Sequence, residues 1–322
     1  MDNLTHTLVG LFLARAGFSK ATPRGTAVMV IAANVPDLDV ISWFWGRPAW
    51  LHWHRNITHS LVGLPFMALL TVVLVGLVAR QKIRWGQAYL IALAGVASHL
   101  LLDLTNVYGV RLLLPFSGHW THWDVAPVVD YFIWAILLLG LAAPALSRLV
   151  GSEIGEPVRG KGNAGWAVTA LLLLTVWDYT RSVFHHQATA LMDSHIYNRL
   201  APRSVGAVPT ANPLVWRGMA ELSNAWVEVP VDLRTTFRPA DATTYFKPPR
   251  TPAMRAALAT YPFQMLLEFV QYPLWVIQPS RVSLVDLRFG TPSHPGFAAA
   301  TAIVDQNNRV LETAFGAVEV PR

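Results

Sequence analysis

The sequence QAYLIALAGVASHLLLDL, Gln87–Leu104, is an apolar run that carries one histidine and one aspartate near its end. A helix needs about 20 apolar residues to cross a bilayer, so this run predicts a membrane-spanning helix. Three further runs of similar length predict three more spans: Leu61–Ala79, Val128–Leu146 and Ala164–Val183. The sequence therefore predicts a mainly α polytopic membrane protein built on a helical bundle.

The composition of the 322 residues supports this class, because 53% are hydrophobic and only 14% are charged. Soluble domains carry about 25% charged residues, so a cytosolic enzyme is disfavoured. The chain has no cysteine, which excludes thiolate zinc fingers, disulfide scaffolds and cysteine nucleophiles. The net charge of +6 does not indicate a nucleic-acid partner, because the basic residues form no stripe with interleaved aromatic residues.

Basic residues between the apolar runs predict the orientation in the membrane. They lie in three connections: Arg15, Lys20 and Arg24; Arg80, Lys82 and Arg84; and Arg148, Arg159 and Lys161. Cytoplasmic loops of membrane proteins are enriched in Lys and Arg, so all three connections are assigned to the cytoplasm. The connections 44–60 and 105–127, and everything after about Phe184, then face outward.

Two shorter apolar runs, Leu4–Phe18 and Thr26–Ala33, precede the predicted spans. The second is expected to stop near Ala33, because Pro36 disfavours helix in the residue before it. Residues 1–45 are therefore predicted to form a short helical hairpin. They do not read as a cleaved signal peptide, because they lack a basic n-region and a clean small-residue cleavage site.

The tail from residue 185 onward changes character, since it is rich in proline and carries charges of both signs. Alternating or apolar stretches predict strands at Ala225–Leu233, Arg281–Phe289, Ala299–Val304 and Val310–Phe315. A helix is expected near Pro252–Tyr261. The chain is thus divided into a membrane-embedded helical metal-site domain, residues 1–184, and a small β-rich extracytoplasmic α+β domain, residues 185–322.

Ionisable residues lie next to apolar sequence at several places in the first 130 residues. His99 and Asp103 are four apart near the end of a predicted span, so on a helix they share one face. Asp37 and Asp39 follow Pro36, which favours a turn or extended segment from which both carboxylates reach one centre or two neighbouring centres. Ionisable groups in such apolar surroundings are costly and are usually functional.

A second group of polar residues forms the stretch His54-Arg55-Asn56-Ile57-Thr58-His59-Ser60. His54 and His59 would lie about 140° apart on a helix, so a loop entering a helix N-terminus is the better scaffold. Thr58 or Ser60 is then the helix cap. The guanidinium of Arg55 suits a phosphate or carboxylate group.

Each of these signals has a structural alternative. The His99–Asp103 pair could join two helices by a hydrogen bond, Asp39 could cap a helix, and Arg55 could contact a lipid headgroup. Asp124 could orient a ligand imidazole instead of binding metal. The orientation derived from Lys and Arg alone places all the candidates toward one side, which supports a single site. The candidate metal ligands are His6, Asp37, Asp39, His54, His59, His99, Asp103 and Asp124.

These elements, in this order, resemble the YdjM-like family of bacterial inner-membrane proteins, which are described as metal-dependent hydrolases. The resemblance covers roughly residues 1–150. Its matching pieces are Thr5-His6; Pro36-Asp37-Leu38-Asp39; His54-Arg55 with Thr58-His59-Ser60; and Ser98-His99 with Asp103. It implies a multi-pass protein of the inner membrane. A more distant similarity to zinc-dependent phospholipases C implies that His99 and Asp103 are metal ligands and that Asp37 contributes to a bridging position.

The candidate ligands indicate a divalent cation. A mixed histidine and carboxylate set suits Zn²⁺, Mn²⁺ or Fe²⁺, with Zn²⁺ favoured and one to three ions expected. Such an ion lowers the pKa of bound water to about 7, and two ions about 3.5–4 Å apart can clamp a phosphoryl group.

The leading hypothesis is a membrane-bound hydrolase that cleaves a phosphoester in a lipid or lipid-linked substrate. Asp39 is the candidate general base, unless the metal hydroxide serves, and Arg55 would hold substrate phosphate. The alternative is a non-catalytic membrane protein in which metal stabilises a helix bundle that binds lipid or a partner protein.

Overall fold

The computed structural model describes residues 1–78, 82–153 and 163–316. These residues form two compact units. The first contains Met1–Leu38, Arg55–His185 and Pro209–Pro213, and the second contains Asp39–His54, His186–Val208 and the chain from Leu214 onward. The segment Asp39–His54 precedes the predicted domain boundary after residue 184 but belongs to the second unit. Ala79, Arg80, Arg159 and Lys161, used above for spans and orientation, lie outside the described residues.

The N-terminal region is rich in helix, as predicted, and the C-terminal region holds the strands. The helices are α1 (Asn3–Ala16), α2 (Gly25–Ala32), α3 (Arg47–Trp53), α4 (Gly63–Val78), α5 (Trp85–Thr105), α6 (Tyr131–Glu153), α7 (Asn163–Asp193), α8 (Pro252–Leu258) and α9 (Tyr261–Phe269). Short 3₁₀ helices occupy Phe18–Ala21, Val35–Trp45, Ile57–His59 and Pro239–Asp241. The end of α2 at Ala32 agrees with the effect expected of Pro36.

The first unit packs around two groups of buried apolar side chains. One lies among α1, α2, α4 and α5 and includes Met29, Val72 and Val96. The other lies among α1, α6 and α7 and includes Phe12 and Leu137. Helix α1 contributes to both groups and packs against α2, α5 and α6, so it joins the two halves of the unit.

Helices α2 and α5 approach each other closely because small residues face each other. A Cβ added to Gly95 would lie 2.6 Å from the Cβ of Ala32 and 3.1 Å from the carbonyl oxygen of Met29. Real Cβ atoms need more room than this, so only glycine permits the observed helix separation. His99 lies one helical turn beyond Gly95 on the same helix.

Replacing Gly95 with leucine is expected to push α5 away from α2 and to destabilise the protein by about 1–3 kcal/mol, as overpacking of a core does. The matched control is Gly86→Ala in the same helix, where an added Cβ would meet nothing within 4 Å. Apparent melting temperatures in detergent measure the difference. Equal melting temperatures for both variants would show that the close approach contributes nothing to stability.

Two helices of the described residues are long and apolar enough to cross a membrane, α5 and α6. Two bent pairs also qualify if each is one span: Gly25–Ala32 with Val35–Trp45, bent by 44°, and Arg47–His59 with Gly63–Val78, bent by 85°. The predicted span Ala164–Val183 lies in α7, which is not among them. Polar residues such as Asp178 and Arg181 lower the hydropathy of α7. The described residues therefore hold two to four candidate spans.

The second unit carries two four-stranded sheets with strands in chain order, which confirms the predicted C-terminal β-sheet domain. The strands are β1 (Ser204–Pro209), β2 (Val215–Glu221), β3 (Ala225–Asp232), β4 (Thr243–Phe246), β5 (Pro273–Gln278), β6 (Arg281–Asp286), β7 (Ala299–Val304) and β8 (Val310–Phe315). In the first sheet Gly218 of β2 lies opposite Val229 of β3, and in the second Leu284 of β6 lies opposite Ala300 of β7, both in antiparallel pairs. The helix expected near Pro252–Tyr261 is two helices, α8 and α9, with Pro262 in the first turn of the second.

Candidate metal centre

The candidate centre is built on one face of α5. His99 and Asp103 are one helical turn apart and both are fully buried, with His99 Nε2 3.4 Å from Asp103 Oδ2. The sequence places an imidazole and a carboxylate at the end of an apolar helix, where neither group is stable without a polar or charged partner. The four-residue spacing predicts that the two side chains share one face of the helix, and they do.

Two further side chains from the first unit reach the same point. His59 belongs to the 3₁₀ helix Ile57–His59, and its Nε2 lies 3.0 Å from His99 Nε2 and 3.5 Å from Asp103 Oδ2. Asp37 belongs to the 3₁₀ helix Val35–Trp45, and its Oδ1 lies 3.4 Å from His59 Nε2 and 3.6 Å from His99 Nε2. One ligand atom from each of the four residues lies within 4.8 Å of every other.

These distances fit a divalent cation. Ligand atoms at the corners of a tetrahedron about 2.0–2.1 Å from zinc are about 3.3 Å apart. The two imidazole nitrogens lie 3.0 Å apart, and their four separations from the carboxylate oxygens run from 3.4 to 3.6 Å. The buried Oδ2 of Asp103 has no hydrogen-bond partner among the described residues. Buried polar atoms normally have a partner, so a bound cation would account for this one.

Neighbouring groups orient the ligand side chains. His99 Nδ1 lies 2.8 Å from the carbonyl oxygen of Ala33. A carbonyl oxygen can only accept, so Nδ1 carries the hydrogen and the Nε2 lone pair of neutral His99 points at the centre. His59 Nδ1 lies 3.0 Å from the hydroxyl of Thr58, and Asn3 donates to the outer oxygen of Asp37 at 3.0 Å. Such outer contacts are typical of metal ligands.

Arg55 holds the other oxygen of Asp103. Its Nη2 donates to Asp103 Oδ1 at 2.8 Å, and its Nη1 donates to Asn106 Oδ1 and to the carbonyl oxygen of Gly109, both at 3.2 Å. The α-amino group of Met1 also contacts Oδ1. Arg55 is only 4% exposed and has a left-handed φ of 57°, a conformation that costs about 1–3 kcal/mol unless its surroundings hold it. Arg55 is therefore a positioning residue for Asp103 in this structure.

His6 of α1 completes the buried set. Its ring stacks on that of His99 with centroids 3.8 Å apart, and its Nε2 lies 3.4 Å from Asp103 Oδ1. Neither of its ring nitrogens has a hydrogen-bond partner in the part of the chain that the structure describes. Helix α1 is not one of the candidate spans. Burial of the ring, together with the nearby His99, lowers the pKa of His6 to about 3. The imidazole is therefore neutral at pH 7 and keeps a lone pair available.

The comparisons with known proteins concern the same N-terminal region of the chain. A sequence model of the YdjM inner membrane protein family matches residues 1–188, more than half of the chain. The chain belongs to the YdjM family. The region that this family defines contains all of the residues described above.

A full-length relative has also been identified. The uncharacterized protein YfhP of Bacillus subtilis (strain 168) is 23% identical over 321 residues, which cover 94% of this chain and 91% of that protein. No solved structure matches. The similarity to zinc-dependent phospholipases C is not shown by these matches and stays a prediction.

Not every predicted ligand lies in the buried set of this YdjM-family protein. Asp39 and His54 belong to the second unit, where His54 Nδ1 lies 2.7 Å from Asp39 Oδ1. Asp124 lies 3.0 Å from His122 Nδ1. The expected turn or extended segment around Asp37 and Asp39 is wrong, because Val35–Trp45 is a 3₁₀ helix.

Sequence reasoning missed the residues that position the ligands. Asn106 is fully buried directly after α5 and accepts hydrogen bonds from Arg55 and from the backbone of Tyr108 and Gly109. Its place three residues after Asp103 was a usable signal. Asn3 and the Ala33 carbonyl carried no such signal, because each is brought to the site by helix packing.

Proposed function

We propose that this YdjM-family protein is a membrane-bound metal-dependent hydrolase with one divalent cation held by Asp37, His59, His99 and Asp103. The observation that carries the proposal is the spacing of the four ligand atoms, which matches a coordination shell. Zn²⁺ is the favoured ion, and Mn²⁺ or Fe²⁺ suits the same donors. A single ion is proposed because the second oxygen of Asp103 already accepts a hydrogen bond from Arg55.

Access to the centre is proposed at Asp37. The side chains of His59, His99 and Asp103 are fully buried, whereas that of Asp37 is 14% exposed. A divalent cation supplies a Lewis acid that lowers the pKa of bound water to about 7. Asp37 would bind the cation through one oxygen while its other oxygen accepts a hydrogen bond from Asn3. Arg55 would hold the carboxylate of Asp103 in position. Neutral His6 lies beside Asp103 and adds no positive charge to the centre.

A phosphoester in a lipid or lipid-linked molecule is the proposed substrate, because the family is one of inner membrane proteins and α5, which carries two ligands, is a candidate span. We further propose several membrane passes with the β-sheet domain outside the cytoplasm, from the Lys and Arg content of the connections. Arg55 is not proposed as the phosphate-binding group, since its Nη1 and Nη2 atoms already donate to Asp103, Asn106 and Gly109.

A second function is favoured by the same geometry. Structural zinc sites have four protein ligands, whereas catalytic sites keep one position open for water. Four ligands at tetrahedral spacing therefore also support a cation that only stabilises the helices. In that case the protein binds lipid or a partner without catalysis.

A metal-exchange experiment separates the two functions. Purified protein is stripped with a chelator, reloaded with Zn²⁺ or Mn²⁺, and assayed on phospholipids and on a generic phosphodiester. The hydrolase is expected to regain turnover with metal, and His99→Gln to lose both metal and turnover while the exposed control His119→Gln keeps both. Tight binding that raises the melting temperature without turnover on any ester would establish the structural role instead.

A further inference from the structure

A separate groove of about 810 Å³ runs along the face of α5 that adjoins the metal-binding face. Its volume lies within the range of about 300–1,000 Å³ typical of small-molecule sites. Val9 of α1, Leu102 of α5 and Leu174 of α7 line it and are at most 6% exposed, so they form its floor. Trp123 and Tyr179 line it and are 49% and 71% exposed, so they form its rim.

One end of the groove is polar. Backbone hydrogen bonds fix its position, because Val125 N donates to the carbonyl oxygen of Thr105, the last residue of α5. Arg181 Nε of α7 in turn donates to the carbonyl oxygen of Val125. The polar lining residues on or beside these segments are Thr105, His122, Asp178 and Ser182. About one turn away along both helices the lining includes Leu102 and Leu174, so apolar side chains follow the polar ones.

Asp178 is the unexplained group at this polar end. Its Oδ1 is buried and has no hydrogen-bond partner among the residues that the structure describes. The charged groups around it do not neutralise it by contact. Arg181 donates to backbone carbonyl oxygens, and Asp130 uses its carboxylate to cap α6 and to accept from Trp177. A buried acceptor without a donor costs about 1–3 kcal/mol, so a ligand that donates a hydrogen bond would be favoured here.

We propose that this groove binds an uncharged bilayer lipid with a free hydroxyl group, of the diacylglycerol type. Its hydrocarbon chain lies on Val9, Leu102 and Leu174, and its hydroxyl donates to Asp178. A bilayer lipid is favoured over a solute because the groove follows a candidate span in an inner membrane family and is open along its exposed rim. An anionic headgroup is disfavoured because the acidic side chain of Asp178 lines this end. The proposal is independent of the metal centre.

The test measures binding of labelled dioleoylglycerol to the full-length protein in detergent micelles. Thr175 lines the groove and is exposed, so Thr175→Trp fills the groove without overpacking a core and is expected to weaken binding at least tenfold. The control is Leu173→Trp, which is also exposed but lies about 200° away around α7. Asp178→Leu is expected to weaken binding about tenfold, whereas Asp178→Asn keeps an acceptor oxygen and is expected to bind nearly as well.

Binding of related lipids to the unmodified protein is an independent test of the proposal. Acetylated dioleoylglycerol lacks the hydroxyl and is expected to bind about tenfold more weakly than dioleoylglycerol, and dioleoylphosphatidylglycerol is expected to bind more weakly as well. Equal binding of the acetylated lipid, preference for the anionic lipid, absence of binding, or full binding by Thr175→Trp would each overturn the proposal. Equal melting temperatures of Thr175→Trp and Leu173→Trp would exclude misfolding as the cause of a loss.

Discussion

Asp103→Leu is expected to remove metal binding and to lower the free energy of unfolding by about 3–5 kcal/mol. One oxygen of Asp103 faces the two imidazoles and the other accepts from Arg55, so a single substitution breaks both contacts. The large loss of stability arises because Arg55 is left buried without its carboxylate. Metal content by elemental mass spectrometry and the apparent melting temperature in detergent measure the two effects.

A double variant separates those effects. Asp103→Leu combined with Arg55→Met removes both charges, so much of the lost stability is expected to return, because paired apolar replacements are often neutral. Metal content is expected to stay at zero in the double variant. If Asp103→Leu kept one equivalent of metal, Asp103 would not be a ligand and the proposed centre would be wrong.

His59→Ala is expected to reduce metal affinity by more than about 100-fold, since it removes one of four ligands. Thr58→Val, which removes only the hydroxyl next to His59 Nδ1, is expected to reduce affinity by about tenfold, in line with the 10–100-fold effects of outer contacts. The affinities follow from competition with a metal-binding dye at constant pH. Equal losses in the two variants would contradict a direct role for His59.

The helical part of the fold and two of the ligands could be predicted from local pattern. The spacing of His99 and Asp103 predicts a shared helix face, and that face is observed because a helix repeats every 3.6 residues. The strands β7 and β8 begin and end at the predicted residues, since alternation and the turn between them are local signals. The predicted strand Arg281–Phe289 ends earlier, at Asp286.

The rest of the centre depends on contacts between distant segments. From the sequence, the guanidinium of Arg55 suits any anion. Only the packing of its segment against the end of α5 makes the buried carboxylate of Asp103 its partner instead of a substrate. Asp37 and Asp39 look equivalent in sequence, but it is Asp37 whose oxygen lies within 4.8 Å of the ligand atoms of His59, His99 and Asp103. The orienting carbonyl of Ala33 is brought to His99 by the close approach of α2 and α5 at Gly95.

The order of the ligands along the chain has a consequence for biogenesis. Asp37 and His59 leave the ribosome first, and the site cannot close until Thr105 has been translated and the long apolar helix before it has been inserted. If the proposed cation is bound, its loading is therefore a late event in maturation, and a nascent polypeptide arrested before that helix would expose an acid and an imidazole without the two ligands of α5. Such an intermediate offers membrane quality-control proteases a means of distinguishing unfinished copies from completed ones.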